Sequence, residues 1–180
     1  MSVSNAWILA ISENLYVAIG GLEMVHIHSE IPDLIPISKK SDYCQHQVLW
    51  QQQQLPLLDL GLLLYGEPSV DINTHKTGNT FLCIVSYMSE QENMQEYGAI
   101  ISAQLPVRIK VDDKQSCDLP DLPDLPDSPE AWSVVAISCF SQDTYGTVPI
   151  LDLPRIFSTQ VDDVLADPDQ QADSDLLPFD

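Results

Sequence analysis

Basic residues are scarce in this chain: 7 Lys and Arg stand against 27 Asp and Glu over 180 residues, a formal net charge of -20. That balance repels phosphate backbones and anionic lipid headgroups, so nucleic acid and membrane surfaces are not expected partners. Long apolar runs are missing too. The most apolar stretch, Leu55 to Tyr65, is broken by Pro56 and Asp59 and falls well below the roughly 20 residues a membrane span needs. Met1 to Trp7 carries no basic region, and Ile8-Leu-Ala-Ile11 is too short for the core of a signal peptide. A soluble, cytoplasmic protein without direct membrane insertion is the expectation.

Cysteine is limited to Cys44, Cys83, Cys117 and Cys139, far apart in sequence and without a C-x-x-C pair. This excludes the paired-Cys zinc and redox motifs and leaves reduced, mostly buried thiols as the reading. The P-loop, G-x-G-x-x-G, G-x-S-x-G and H-E-x-x-H patterns are absent as well, so the common enzyme classes have no foothold. No catalytic residue and no cofactor is assigned.

What is present is a series of short apolar runs: Trp7 to Ile11, Leu15 to Ile19, Met24 to Ile27, Leu55 to Leu58, Phe81 to Tyr87, Tyr97 to Ile101, Val107 to Val111, Val134 to Phe140 and Thr147 to Leu151. Their lengths and their β-branched or aromatic content suit strands, and Gly, Asn, Asp and Pro between them suit turns. A mainly β barrel or sandwich with short helical turns follows.

The chain also repeats itself. Leu55-Pro-Leu-Leu-Asp-Leu-Gly-Leu-Leu-Leu64 returns as Val148-Pro-Ile-Leu-Asp-Leu-Pro-Arg-Ile-Phe157, matching Pro56 with Pro149 and Asp59 with Asp152. In each copy an apolar strand runs into an Asp placed to cap a following helical turn, so Asp59 and Asp152 read as N-caps and not as paired catalytic carboxylates. Pro154 suits the first turn of a helix, where no amide donor is needed. Leu58 and Leu151 are expected at equivalent core sites, each packing its own barrel. A weaker echo, Tyr16-Val-Ala-Ile19 and Tyr97-Gly-Ala-Ile100, marks the second strand of a hairpin ahead of each copy. The repeating unit of roughly 75 to 90 residues suits a small barrel. Residues 1–160 then form one domain of two pseudo-repeated subdomains, about 1–66 and 80–158, leaving 161–180 as an acidic disordered tail. Asp118-Leu-Pro-Asp-Leu-Pro-Asp-Leu-Pro-Asp127 reads as a stiff, extended spacer or docking edge.

His26 and His28 lie two apart on an expected strand, on one face, and with His46 they form the best metal candidate; solvated surface histidines are the competing reading, and no metal is assigned. The run Gln51-Gln-Gln-Gln54 reads as a turn or strand edge.

Hairpin, long connection and P-x-x-D-L turn, followed by the same again, resemble the CheW-like domain of chemotaxis coupling proteins over roughly residues 6 to 158. Leu15-Tyr-Val-Ala-Ile19, Met24-Val-His-Ile27, Ile35-Pro-Ile37, Leu55-Pro-Leu-Leu-Asp-Leu60 and Gly66 carry the first half. Tyr97-Gly-Ala-Ile-Ile101, Val134-Val-Ala-Ile-Ser138 and Val148-Pro-Ile-Leu-Asp-Leu153 carry the second.

The resemblance implies two intertwined, five-stranded, SH3-like barrels. It also implies a non-enzymatic adaptor whose partners are a histidine kinase regulatory domain and the cytoplasmic tip of chemoreceptors, in swimming, pilus-linked or surface-motility signalling. The family usually bears a glutamate where His26 stands, an N-x-R-G segment where Leu49-Trp-Gln-Gln52 stands, and an aspartate where Ser102 stands. Core and turn positions are kept while polar, partner-facing ones are changed, which marks a divergent member. Trp50, Gln51, Gln52 and His26 become candidate partner-binding residues, and Pro56, Asp59, Pro149 and Asp152 structural turn or cap residues. Two other readings compete: a metal-binding or enzymatic β-barrel built on His26 and His28, and an inhibitory module acting through its acidic tail.

Overall fold

The computed structural model describes residues 3–41, 43–69, 80–89, 93–118 and 136–158. The tail beyond 158 and the Asp-Leu-Pro repeat beyond Asp118 lie outside the described residues. Twelve strands form among those described: β1 (Val3–Ala10), β2 (Tyr16–Gly20), β3 (Met24–His28), β4 (Leu34–Ser41), β5 (Cys44–Trp50), β6 (Gln53–Leu58), β7 (Phe81–Met88), β8 (Gln95–Ser102), β9 (Val107–Asp112), β10 (Ser116–Cys117), β11 (Ala136–Gln142) and β12 (Gly146–Leu151). Helix α1 (Leu60–Tyr65) follows β6, a second helical segment, α2 (153–158), follows β12, and a single 3-10 turn over Asp113–Gln115 separates β9 from β10.

The strands form two six-stranded sheets: sheet A in the order β10-β11-β12-β2-β1-β9, and sheet B in the order β4-β5-β6-β8-β7-β3. Moving six strands along the chain converts one order into the other. Each sheet draws on both halves, because hairpin β1–β2 joins β9 to β12 while hairpin β7–β8 joins β3 to β6. The correspondence reaches single residues. Parallel pairing of β6 with β8 starts at Leu57↔Ala99, and that of β12 with β2 lies at Ile150↔Ala18. In both copies the pairing begins one residue after the proline, Pro56 or Pro149, which has no N–H to give the ladder.

Where five strands per barrel were expected, each sheet has six, and sheet A shows why. Its opposite edges, β9 and β10, are joined by three residues, a link that reaches at most roughly 14 Å. Six strands laid flat would put those edges about 24 Å apart. The sheet therefore curls until the edges approach, and β9 with β10 act as one bent strand.

The hairpin strands carry near-continuous apolar stretches, such as Trp7 to Ala10, Val17 to Ile19, Phe81 to Val85 and Ala99 to Ile101, because both of their faces are covered there. In β8, Ala99 and Ile101 pack into barrel B with Val48, Leu55, Leu57, Leu82 and Ile84. Ile100, between them, joins a larger cluster holding Leu9, Val17, Ile19, Cys83, Val85, Leu64 and Phe157, the layer shared by the two sheets. In β2, likewise, Ala18 packs into barrel A with Ala6, Ile8, Phe140 and Val148, while Val17 and Ile19 join the shared layer. Leu58 and Leu151 are fully buried at equivalent places, but not each in its own barrel as expected: both belong to the shared layer. The physical reason is strand alternation, since Leu57, one residue earlier, is the side chain that turns into barrel B.

Ser102 ties the sheets together. Fully buried at the end of β8, its hydroxyl accepts from the N–H of Ala10 at 3.1 Å and donates to the carbonyl of Gln104 at 2.7 Å, and the Ala103 N–H donates to the Ala10 carbonyl at 2.8 Å. The residue where the resemblance places a partner-facing aspartate is an internal clasp.

Candidate functional site

Asp59 lies only 4% exposed at the end of β6. Its carboxylate accepts from the N–H groups of Gly61 at 2.9 Å and Leu62 at 3.4 Å, and from that of Ser69 at 2.9 Å. A buried carboxylate surrounded by backbone donors is capping α1 and pinning the loop after it. Gly66, with φ of 69°, closes the helix in the left-handed conformation that glycine tolerates. Asp152 repeats the device more loosely, accepting from the Arg155 N–H at 3.3 Å. Each aspartate is engaged with its own helical turn.

Trp50 ends β5, and Gln51 and Gln52 form the two-residue turn into β6, closed by the pair Trp50↔Gln53. Both glutamines have positive φ, 47° and 68°, which is the type I′ geometry that matches the twist of a hairpin. Asn-Gly is the usual choice there, so two glutamines hold the turn against a backbone preference. Both are exposed. Trp50 is half-buried: its indole meets the ring of Tyr97 at a centroid distance of 5.2 Å and packs on the barrel B cluster. It closes the end of barrel B while leaving part of its surface to solvent.

Beside it opens a cavity of about 450 Å³ lined by His28, Glu30, Pro32, Leu49, Trp50 and Gln51, with Leu82 and Ile84 at its back. Leu49 is 58% exposed. The lining thus combines aliphatic and aromatic surface with one histidine and one carboxylate, a composition suited to a protein partner. An opening of about 300 Å³ occurs in barrel A, between β1 and the segment from β9 to β11.

His26 stands on β3 next to His28, their rings 4.3 Å apart and edge to face. The register His26↔Ile84 and His28↔Leu82 turns both toward the barrel side of the sheet. Burial and the neighbouring His26 hold His28 below the ordinary histidine range, so His28 favours its neutral ring. His46 does not join them. It lines a separate small cavity with Tyr43 and Asp59, and among the described residues no three His, Cys, Asp or Glu side chains gather as a metal site would require. The trio considered from sequence is corrected to a pair.

Two features escaped the sequence reading. Glu23, in the turn between β2 and β3, accepts from the Gly20 N–H; burial chiefly, and the nearby Asp152 carboxylate, push it above the usual carboxylate range despite that bond. Cys117 and Cys139 meet across β10 and β11. The turn position of Glu23 carried no signal of burial, and 21 intervening residues hid the cysteine pair.

Among the described residues no helix is long and apolar enough to cross a membrane. Neither a family model nor a curated protein sequence matches this chain. Among solved structures, the chain is similar to the scaffolding protein TtCheW from Thermoanaerobacter tengcongensis, with a TM-score of 0.62 and 11% identity over 85% of this chain and 86% of that one. The mainly β architecture, two curled sheets trading hairpins, is therefore a CheW-like fold.

Proposed function

We propose that this chain is a non-enzymatic adaptor that couples a chemotaxis-type histidine kinase to chemoreceptors in a bacterial chemosensory array, in a pilus-linked or surface-motility pathway. The observation that carries the reading is the likeness in fold to a scaffolding protein over most of both chains, together with the exposed aromatic and aliphatic mouth of barrel B. A histidine kinase regulatory domain of this class resembles the coupling protein, so the two can pack barrel against barrel.

Trp50 and Leu49 then act as anchors at the mouth, Gln51 and Gln52 as its polar rim, and His26 as a flanking contact. The carboxylates that looked most like chemistry, Asp59 and Asp152, are held by helix amides.

Calorimetric titration of the full chain against the co-encoded kinase regulatory domain tests this. Binding in the micromolar range is expected, weakened by about 1 to 2 kcal/mol in Leu49→Asp, whose exposed side chain adds little to the core. Because Trp50 also packs on barrel B, Trp50→Ala should lower both affinity and melting temperature. No heat from the parent at concentrations up to roughly 100 μM would remove the coupling function.

A further inference from the structure

Of the four cysteines, two meet. Cys117 and Cys139 are direct partners in the antiparallel register of β10 and β11. Their Sγ atoms lie 2.8 Å apart, and the Cys139 thiol donates to the Cys117 carbonyl at 2.8 Å. Both are free thiols. A disulfide bond is about 2.05 Å long, so the sulfurs need to close by only roughly 0.8 Å. We propose that Cys117 and Cys139 form a reversible dithiol–disulfide site, oxidised by small disulfides of the glutathione class, that latches β10 onto β11.

The place gives the latch its effect. β10 is two residues long, is held to sheet A by the pairs Ser116↔Phe140 and Cys117↔Cys139, and forms the sheet's edge. It also sits where barrel A curls toward its other edge, through the three-residue turn to β9. A covalent bond there would secure the closure of barrel A and enclose residues 118–138, the segment that holds the Asp-Leu-Pro repeat.

The two thiols are unequal in a way that orders the chemistry. Cys117 is half-exposed, whereas Cys139 is 3% exposed; burial and the adjacent Cys117 push Cys139 up to about 12. Attack on an external disulfide therefore begins at Cys117. Its thiolate displaces one small thiolate and forms a mixed disulfide. Cys139 then attacks the Cys117 sulfur and releases the second small thiol, which carries away the Cys139 proton. One small disulfide is reduced to two thiols as the protein dithiol is oxidised to a disulfide. Proximity offsets the poor ionisation of Cys139, since its sulfur is already in place. Cys44 and Cys83 provide an internal control: both are buried, and burial pushes them up to about 11 and about 12.

The test is incubation of the full chain with oxidised glutathione, followed by thiol counting in denaturant, peptide mass mapping and thermal melting. Loss of two of the four thiols, a Cys117–Cys139 linkage within one chain, and a rise in melting temperature of roughly 5 to 10 °C reversed by dithiothreitol are expected. Cys117→Ser and Cys139→Ser should each abolish the linkage and the rise. Glutathione remaining attached at Cys117, a linkage between chains, or four thiols left intact would each overturn the proposal. Mapping of the parent protein decides the matter even where a variant fails to fold.

Discussion

Gly98 on β8 and Phe157 on α2 occupy one space. A Cβ added at Gly98 would lie 2.2 Å from both Cε1 and Cζ of the Phe157 ring. The ring has no room to retreat, because it is 1% exposed and stacked on Tyr87 with centroids 4.7 Å apart and planes 2° from parallel. The first copy of the repeat makes the opposite choice, with Val17 at the position of Gly98 and Leu64 at that of Phe157, both in the same shared layer.

Gly98→Ala should therefore destabilise by overpacking, about 1 to 3 kcal/mol or more. In a chain of this size that lowers the melting temperature by roughly 3 to 10 °C. Phe157→Leu alone should lose stacking and leave a gap, roughly 2 kcal/mol. In the double variant the smaller leucine makes room for the new methyl group, so its destabilisation should fall short of the sum by about 1 to 2 kcal/mol. Urea unfolding followed by circular dichroism gives all three values. Additivity within about 0.5 kcal/mol would refute the shared-space reasoning and with it the equivalence of the two copies.

Ser102→Ala removes the acceptor of the buried Ala10 N–H and should cost about 1 to 3 kcal/mol in urea melts; an unchanged midpoint would show that the two sheets do not depend on that clasp. Glu23→Gln should raise stability at neutral pH. The folded carboxyl titrates above its ordinary value of 4.5, so its favourable contribution is complete below that value and is lost as pH rises through the folded one. The variant's advantage in melting temperature should be present at about pH 7 and vanish toward about pH 4; a constant gap would place its origin elsewhere.

How much was legible follows from which forces act locally. The hairpin strands announced themselves because burial on both faces leaves continuous apolar runs, as in Phe81 to Val85. The P-x-x-D-L turns were readable because a proline, an aspartate cap and a helical turn are fixed by neighbours in sequence. β5 was not, since Cys44-Gln-His-Gln-Val-Leu-Trp50 mixes polar and apolar residues without a clean alternation, and β4 carries Pro36 and two lysines, which an edge strand tolerates. Glutamines at positive φ gave no turn signal of the Asn-Gly kind, although the Gln run was placed as a turn. His26 and His28 could be set on one face by spacing alone, whereas the separation of His46 from them is a tertiary fact. So is the meeting of Cys117 with Cys139, which depends on how β11 returns to the edge of sheet A.

Coupling itself can be measured by sedimenting vesicles or nanodiscs that bear the co-encoded chemoreceptor's signalling domain, mixed with the kinase, with and without this chain. Kinase in the pellet only when the chain is present, and less of it with Leu49→Asp, is the expected result. Kinase recovery that does not change on adding the chain would contradict the adaptor role.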